Sequence, residues 1–315
     1  LQHAPPMGPL QSIVPRCPAL QKALLAAMPT KAWPWAAAGC ILPAMTPTLQ
    51  TLMNPSPLPF PADSDDPLAG CAGYCRHCRR EHRLGPGDSR AAALRLMELL
   101  RREGTVDLFR EQPRRDPALA TKVLFGPARG KMFGVLQCRS AEGETRHLYA
   151  FSGQYEGRWL VPGWVPPVFD PEDFARVHDP LERRIKEMGR ALDNKATSAE
   201  QCLHLRRQRR LLSRRLMLDL HGLYRLPNPR GEELPMAEAY LGAGNMPTGT
   251  GDCCAPKLLA AACRLGLHPL GLSEFYWGRE NRSGTRHHGR FSPPCEEKCA
   301  PILGVMLCGL DEEGR

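Results

Sequence analysis

Ahead of Asp63 the chain carries no acidic residue and is rich instead in Pro and Ala. Such a composition cannot bury enough apolar surface to offset the entropy of ordering, so residues 1–66 are expected to form a disordered leader. An organelle transit peptide would be poor in acid too, but this stretch is also short of Arg and Ser; the plainer expectation is a natural start at Met53 behind a translated upstream region. No apolar run approaches the length of a spanning helix, and no secretory signal is evident, so a membrane partner is not expected. The Gly249-Thr250-Gly251 turn lacks the Lys-Ser/Thr ending of a phosphate-binding loop and the spacing of a dinucleotide fingerprint. Those glycines are read as the tight turn into a helix.

What is abundant is arginine and cysteine. The chain has 315 residues with Lys+Arg 42 against Asp+Glu 33, a formal net charge of +9. Its length leaves room for two ordinary domains. The planar guanidinium fork matches phosphate, which makes nucleic acid the leading polyanion. Thirteen cysteines, Cys 13 in the composition, fall in clusters at short spacings. That pattern points to metal in a reducing compartment, the cytoplasm unless the leader addresses an organelle, rather than to a secreted disulfide scaffold. Cys17, Cys40, Cys202, Cys263 and Cys308 stand apart from the clusters and read as ordinary small residues.

Cys71, Cys75, Cys78 and His82 form a C-x3-C-x2-C-x3-H run, the ligand set of a zinc knuckle, with His77 as an alternative ligand. An amphipathic helix is predicted over Ser89 to Arg102, with Leu94, Met97 and Leu100 on one face. KMFGVLQC, RHLYAFSG and GRWLVPGWVPPVF then predict three strands of a small antiparallel sheet. Phe133, Phe151, Trp159 and Trp164 on these runs read as core before they read as base-stacking platforms. A helical hairpin should follow, its first helix capped by Asp179 with Pro180 at the first position, its second opened by a Ser198/Gln201 capping box. Leu205, Leu212, Leu216 and Leu220 make the apolar stripe of the second helix. Its other side carries Arg206, Arg207, Arg209, Arg210, Arg214 and Arg215 with almost no acid to relieve their repulsion, a candidate RNA-backbone surface.

Near the C-terminus two helix-like segments open on cysteine, at Cys253-Cys254 and at Cys295 and Cys299, with two strand-like runs between them. Helix N-termini favour thiolate, so Cys253, Cys295 and Cys299 are candidate zinc ligands and His287 or His288 a candidate fourth. The order resembles that of zinc nucleobase deaminases, which pair an H/C-x-E helix start with a P-C-x-x-C helix start. Two departures stand out. Ala255 occupies the position of the deaminase Glu, and the second pair is C-x3-C. Glu274 and Asp252 are the carboxylates that could be repositioned as general acid/base.

RGKMFGVL, AFSGQ, GWVPPVFD, GTGDCCAPKLL, EFYWG, RHHG, CEEKCAPILG and GL, in that order, resemble the N-terminal extension found in a subset of RluA-type RNA pseudouridine synthases. The resemblance spans about residues 67–310. In that family the synthase domain follows, and it carries a catalytic Asp in an H-R-L-D-like loop; here the only HRL is His82-Arg83-Leu84, followed by Gly85. The resemblance therefore implies an accessory, RNA-engaging, zinc-binding region for rRNA or tRNA modification, alongside a following or separate synthase domain, with no isomerisation by this chain itself. The alternatives are an active zinc-dependent nucleobase deaminase and a non-catalytic structural or interaction module. The expected fold is α+β: a disordered leader (1–66), a zinc knuckle with a small β-sheet (67–170), an Arg-rich helical hairpin (171–230) and an α/β deaminase-like terminal domain (231–315).

Overall fold

A computed structural model describes residues 70–194 and 198–312; the expectations for the leader and for a start at Met53 lie outside these residues. The fold is mixed α+β, with small antiparallel sheets and six α-helices among the described residues. A short hairpin opens it, β1 (Cys71–Cys75) against β2 (Arg80–Leu84), followed by α1 (Ser89–Glu103). Apolar positions at helical spacing bury Ala92, Ala93, Leu96, Met97 and Leu100, and Gly104 ends the helix in the left-handed conformation that a residue without Cβ adopts freely.

β3 (Lys131–Arg139) and β4 (Thr145–Phe151) are antiparallel, and β7 (His268–Trp277) pairs on the other side of β3, giving the order β4-β3-β7. Side chains alternate across this sheet. Phe133, Val135, Phe275 and Trp277 meet α1 on one face, while Leu136, Cys138 and Leu272 meet α5 (Cys254–Arg264) on the other. The sheet is thus the middle layer of three. Because β3 and β7 share it, the stretches expected as separate sheet and terminal domains, 67–170 and 231–315, are parts of one unit.

The third expected strand, around GRWLVPGWVPPVF, is not a strand. Pro162, Pro166 and Pro167 have no N–H to give a ladder, and Gly163 has φ of 82°. The segment still fills the core with Val161, Trp164, Val165 and Phe169. Phe133, Phe151 and Trp164 are core residues packed edge to face, and Trp159 packs on Phe169 and Phe174.

The helical hairpin is present as α2 (Pro171–Asp193) and α3 (Ala199–His221). Its first helix starts earlier than expected: Asp170 caps it, accepting from the Glu172 N–H at 2.8 Å, and Pro180 lies inside. Asp170-Pro171 repeats the Asp-Pro signal of Asp179-Pro180 one step upstream, and the upstream copy sets the start. The capping box at Ser198 and Gln201 forms with both hydrogen bonds. Leu216 and Leu220 bury against Ile185, with Leu212 and Leu181 alongside. β5 (Arg225–Pro227), β6 (Glu233–Pro235) and α4 (Met236–Ala239) lead to α5. Between α5 and α6 (Ala300–Met306) there is one strand, β7, where two strand-like runs are expected. Gly73 on β1 and Gly304 on α6 touch backbone to backbone; a Cβ on Gly304 would overlap the Tyr74 carbonyl. No helix among the described residues is long and apolar enough to cross a membrane.

Candidate metal centres and a basic helix

Two groups of side chains converge as ligand sets. In the first, Cys75, Cys78, His82 and Cys308 place their sulfur and ring-nitrogen atoms within 4.8 Å of one another. Cys75 ends β1, the turn carries Cys78, and His82 stands on β2. Cys308 comes from just beyond α6 and was read from sequence as an ordinary residue; it takes the place expected for Cys71. The reason is the strand. Cys71 and Cys75 are four residues apart in extended chain, which separates them by roughly 13 Å. Cys71 lies in the core instead, its thiol pushed up first by burial and then by Glu274. His77 is also outside the group, exposed and 4.0 Å from Glu232.

The first group has the chemistry a tetrahedral ion needs. Thiolate bonds of about 2.3 Å set sulfurs about 3.8 Å apart around such an ion. The Cys308 and Cys78 sulfurs are 3.8 Å apart, and His82 Nε2 is 2.9 Å from Cys78 Sγ. The other ring nitrogen, Nδ1, is 3.2 Å from Asp311 Oδ2, which fixes the tautomer that leaves Nε2 free to ligate. Desolvation pushes the Cys78 thiol up, but hydrogen bonds with His82, Cys75, the Arg80 backbone and Cys308 outweigh it and bring it down to about 6. Cys308, more deeply placed, is pushed up to about 12 by burial and by its two cysteine neighbours.

The second group is Cys253, Cys295 and Cys299. Cys253 is the N-cap of α5 and Cys299 that of α6, and Cys295 precedes a turn closed by the Cys299 N–H on its own carbonyl at 3.0 Å. Sulfur separations of 3.9 Å (Cys253 to Cys295) and 3.6 Å (Cys295 to Cys299) again match the edge of a tetrahedral thiolate set. Hydrogen bonds from Cys253 and then Cys299 hold the Cys295 thiol low, while sharing with Cys295 holds Cys253 high and sharing with Cys253 and then Cys295 holds Cys299 high. One anion is thus stabilised by two thiols, and a second or third thiolate requires a cation among them.

The histidines expected as a fourth ligand are engaged elsewhere. His287 is exposed and pairs with Glu280 at 2.9 Å; His288 accepts the Gly278 N–H at 3.1 Å and packs against Trp277. Neither belongs to the three-sulfur group. The two candidate carboxylates do lie beside it. Glu274 stands on β7 facing α5, 4% exposed, and accepts the Ala255 N–H at 2.6 Å. Opposite it in register is Gly134, where a Cβ would come within 2.7 Å of Cys254 Cβ. Burial pushes the Glu274 carboxyl up to about 8, against the pull of the Ala255 N–H. Asp252 accepts the Tyr224 hydroxyl at 2.5 Å, and burial raises its carboxyl as well. Gly249 and Gly251 have φ of 78° and 88° and turn the chain into α5, as the sequence suggests.

Two residues, one beside each ligand set, have no sequence signal. Lys257 is fully buried, donating to the Phe151 carbonyl at 2.8 Å and the Gly153 carbonyl at 3.4 Å, and burial lowers its ammonium to about 8. Asp311 lies beyond every motif, and only its contact with His82 identifies it. A search for a cysteine completing a ligand set would have reached Cys308.

Arg206, Arg207, Arg209, Arg210, Arg214 and Arg215 are all exposed on α3. Arg215 pairs with Asp219 at 2.9 Å. α2 adds to the basic surface, because Arg183, Lys186, Arg190 and Arg209 line one groove between the helices together with Asp193. Comparison of the chain with protein-family models, with curated proteins and with solved structures finds no match.

Proposed function

We propose that this chain is a zinc-binding, RNA-engaging region that serves RNA modification as an accessory to an RluA-type pseudouridine synthase domain, in a reducing compartment such as the cytoplasm. The observation that carries the RNA reading is the row of exposed arginines on α3, one of which, Arg209, meets Arg183, Lys186 and Arg190 of α2 around one groove. A merely solvated helix would interleave acids with those arginines, whereas phosphates spaced along a strand neutralise them. Zinc is supported by the sulfur-rich, tetrahedral character of both ligand sets and by the carboxylate–histidine pair behind the first. The synthase context is supported by the ordered resemblance of residues 67–310. His82, which heads the only HRL, is a member of the first ligand set, so no isomerisation is assigned to this chain.

The test has a metal arm and an RNA arm. Metal analysis of the intact chain should find two equivalents of zinc, falling by one in Cys75→Ser and by one in Cys295→Ser. Joint replacement of Arg206, Arg210 and Arg214 by Glu should weaken binding to structured and single-stranded RNA by at least tenfold while leaving zinc in place. Unchanged RNA affinity would remove the hairpin from the reading.

A further inference from the structure

We infer that the outer face of α3 is a protein-docking surface, and that its occupant is an acidic amphipathic helix of a partner protein. The inference goes beyond the zinc and RNA readings and needs neither.

A helix packed on one neighbour needs one apolar stripe, and α3 carries two. Leu212, Leu216 and Leu220 lie toward α2 and meet Leu181 and Ile185. Leu203, Leu211 and Leu218 point away from that core and are 71%, 57% and 70% exposed, the highest values for large apolar side chains among the described residues. At 3.6 residues per turn these three fall within a sector of about 80°, spread along about 22 Å of helix. A single exposed leucine is ordinary on a protein surface. Three on one side of one helix, at the spacing of anchor residues, form a face that another helix can cover.

The charge on that face names the occupant. Arg207 and Arg214 stand inside the sector and Arg210 at its edge, all exposed, and from Leu203 to Leu218 the helix has no acidic residue. Among the described residues no carboxylate pairs with these three arginines; Asp219 pairs with Arg215, which lies outside the sector. A helix that sets Leu or Ile against the three leucines and Glu or Asp against the three arginines satisfies both sets at once, as apolar seams flanked by ion pairs do in coiled coils.

Other occupants fit one set and fail the other. A second copy, packed antiparallel on the same face, would bring Arg207 against Arg214 and Arg210 against itself, a like-charge juxtaposition. A membrane surface takes helices whose apolar face is free of charge, whereas here arginines stand among the leucines. RNA takes the arginines and leaves the leucines in water, because single strands rest their bases on aromatic side chains and this face has none. The groove that Arg209 shares with α2 lies on another side of the helix.

The experiment uses the full chain and a synthetic helical peptide with Leu at i, i+4, i+7 and i+11 and Glu at the flanking positions. A second peptide with the same leucines carries Lys in place of Glu. The Glu peptide should bind one to one, more weakly as salt is raised, and the Lys peptide should not bind. Joint replacement of Leu203, Leu211 and Leu218 by Gln keeps good helix formers at exposed positions, so circular dichroism and metal content should stay while peptide affinity falls by about tenfold or more. Arg207→Glu should weaken the Glu peptide as well. RNA affinity should be unchanged in the Leu-to-Gln variant, which separates this face from the RNA reading. No binding of the Glu peptide, equal binding of the Lys peptide, or full affinity in the Leu-to-Gln variant would overturn the inference. So would any of three losses in that variant: of RNA affinity, of binding to vesicles of anionic phospholipid, or of a dimer seen by sedimentation. Each would give the face to that occupant instead.

Discussion

Asp311 acts on a metal set it does not belong to. Its carboxylate holds His82 Nδ1 at 3.2 Å, so Nε2 faces the three sulfurs of Cys75, Cys78 and Cys308. Outer partners of this kind are worth about 10- to 100-fold in metal affinity. Because the Asp311 side chain is half exposed, Asp311→Asn is expected near the tenfold end, measured by competition with a chromophoric chelator, with the Cys295 group unaffected. Lys257 poses the opposite problem, a charge inside the core. Its ammonium is lowered from 10.5 to about 8 by burial, so the folded chain releases that proton before the unfolded chain does. Between these two values the unfolded state binds more protons, and stability must rise with pH there. Below about pH 8 the charged form carries a constant cost on the order of 3 kcal/mol, offset by its two carbonyl acceptors. Urea unfolding from pH 7 to pH 10 should therefore show wild type gaining on Lys257→Met as pH rises; parallel curves would mean that burial does not lower the Lys257 ammonium and that it stays charged in the fold over this range.

At the scale of elements, the fold depends on a close crossing of α6 over β1. Gly73 and Gly304 bring the backbones together, and that contact carries Cys308 to the β1–β2 hairpin. Gly304→Ala places a methyl group on the Tyr74 carbonyl. It is expected to cost about 1–3 kcal/mol in urea unfolding and to weaken metal at the first group in parallel. Elements specified by their own residues were legible in the sequence: α1 from its apolar spacing, α3 from the Ser198/Gln201 box, α5 from Cys253 and the glycines ahead of it. What depends on pairing between distant segments was not. The spacing C-x3-C reads the same in a knuckle and in a strand, and only the β1–β2 register sends Cys71 into the core. Cys308 lies 226 residues beyond His82 in sequence, so no local pattern could join them. Glu274 is ambiguous for the same reason, because it becomes the neighbour of Ala255 only once β7 pairs with β3.

Over the whole molecule the two ligand sets bracket a single short helix. Cys299 is the N-cap of α6 and belongs to the three-sulfur group; Cys308 follows its C-terminal end and belongs to the other. A helix of seven residues, Ala300–Met306, is too short to hold itself in water, and its burial is what keeps it folded. An ion bound at each end would add binding free energy to that burial, because the unfolded chain has neither site formed. Removing the metal should then act locally before it acts globally. After chelation, amide exchange is expected to accelerate across α6, the 295–299 turn and the β1–β2 hairpin, while β3, β4 and α1 stay protected by their own core. Cys308→Ser should loosen the hairpin and the C-terminal end of α6 and spare the 295–299 turn; Cys295→Ser should do the reverse. Uniform acceleration over the sheet and helix alike would show that the two sites hold the entire fold, and unchanged exchange at α6 would show that neither site holds the helix.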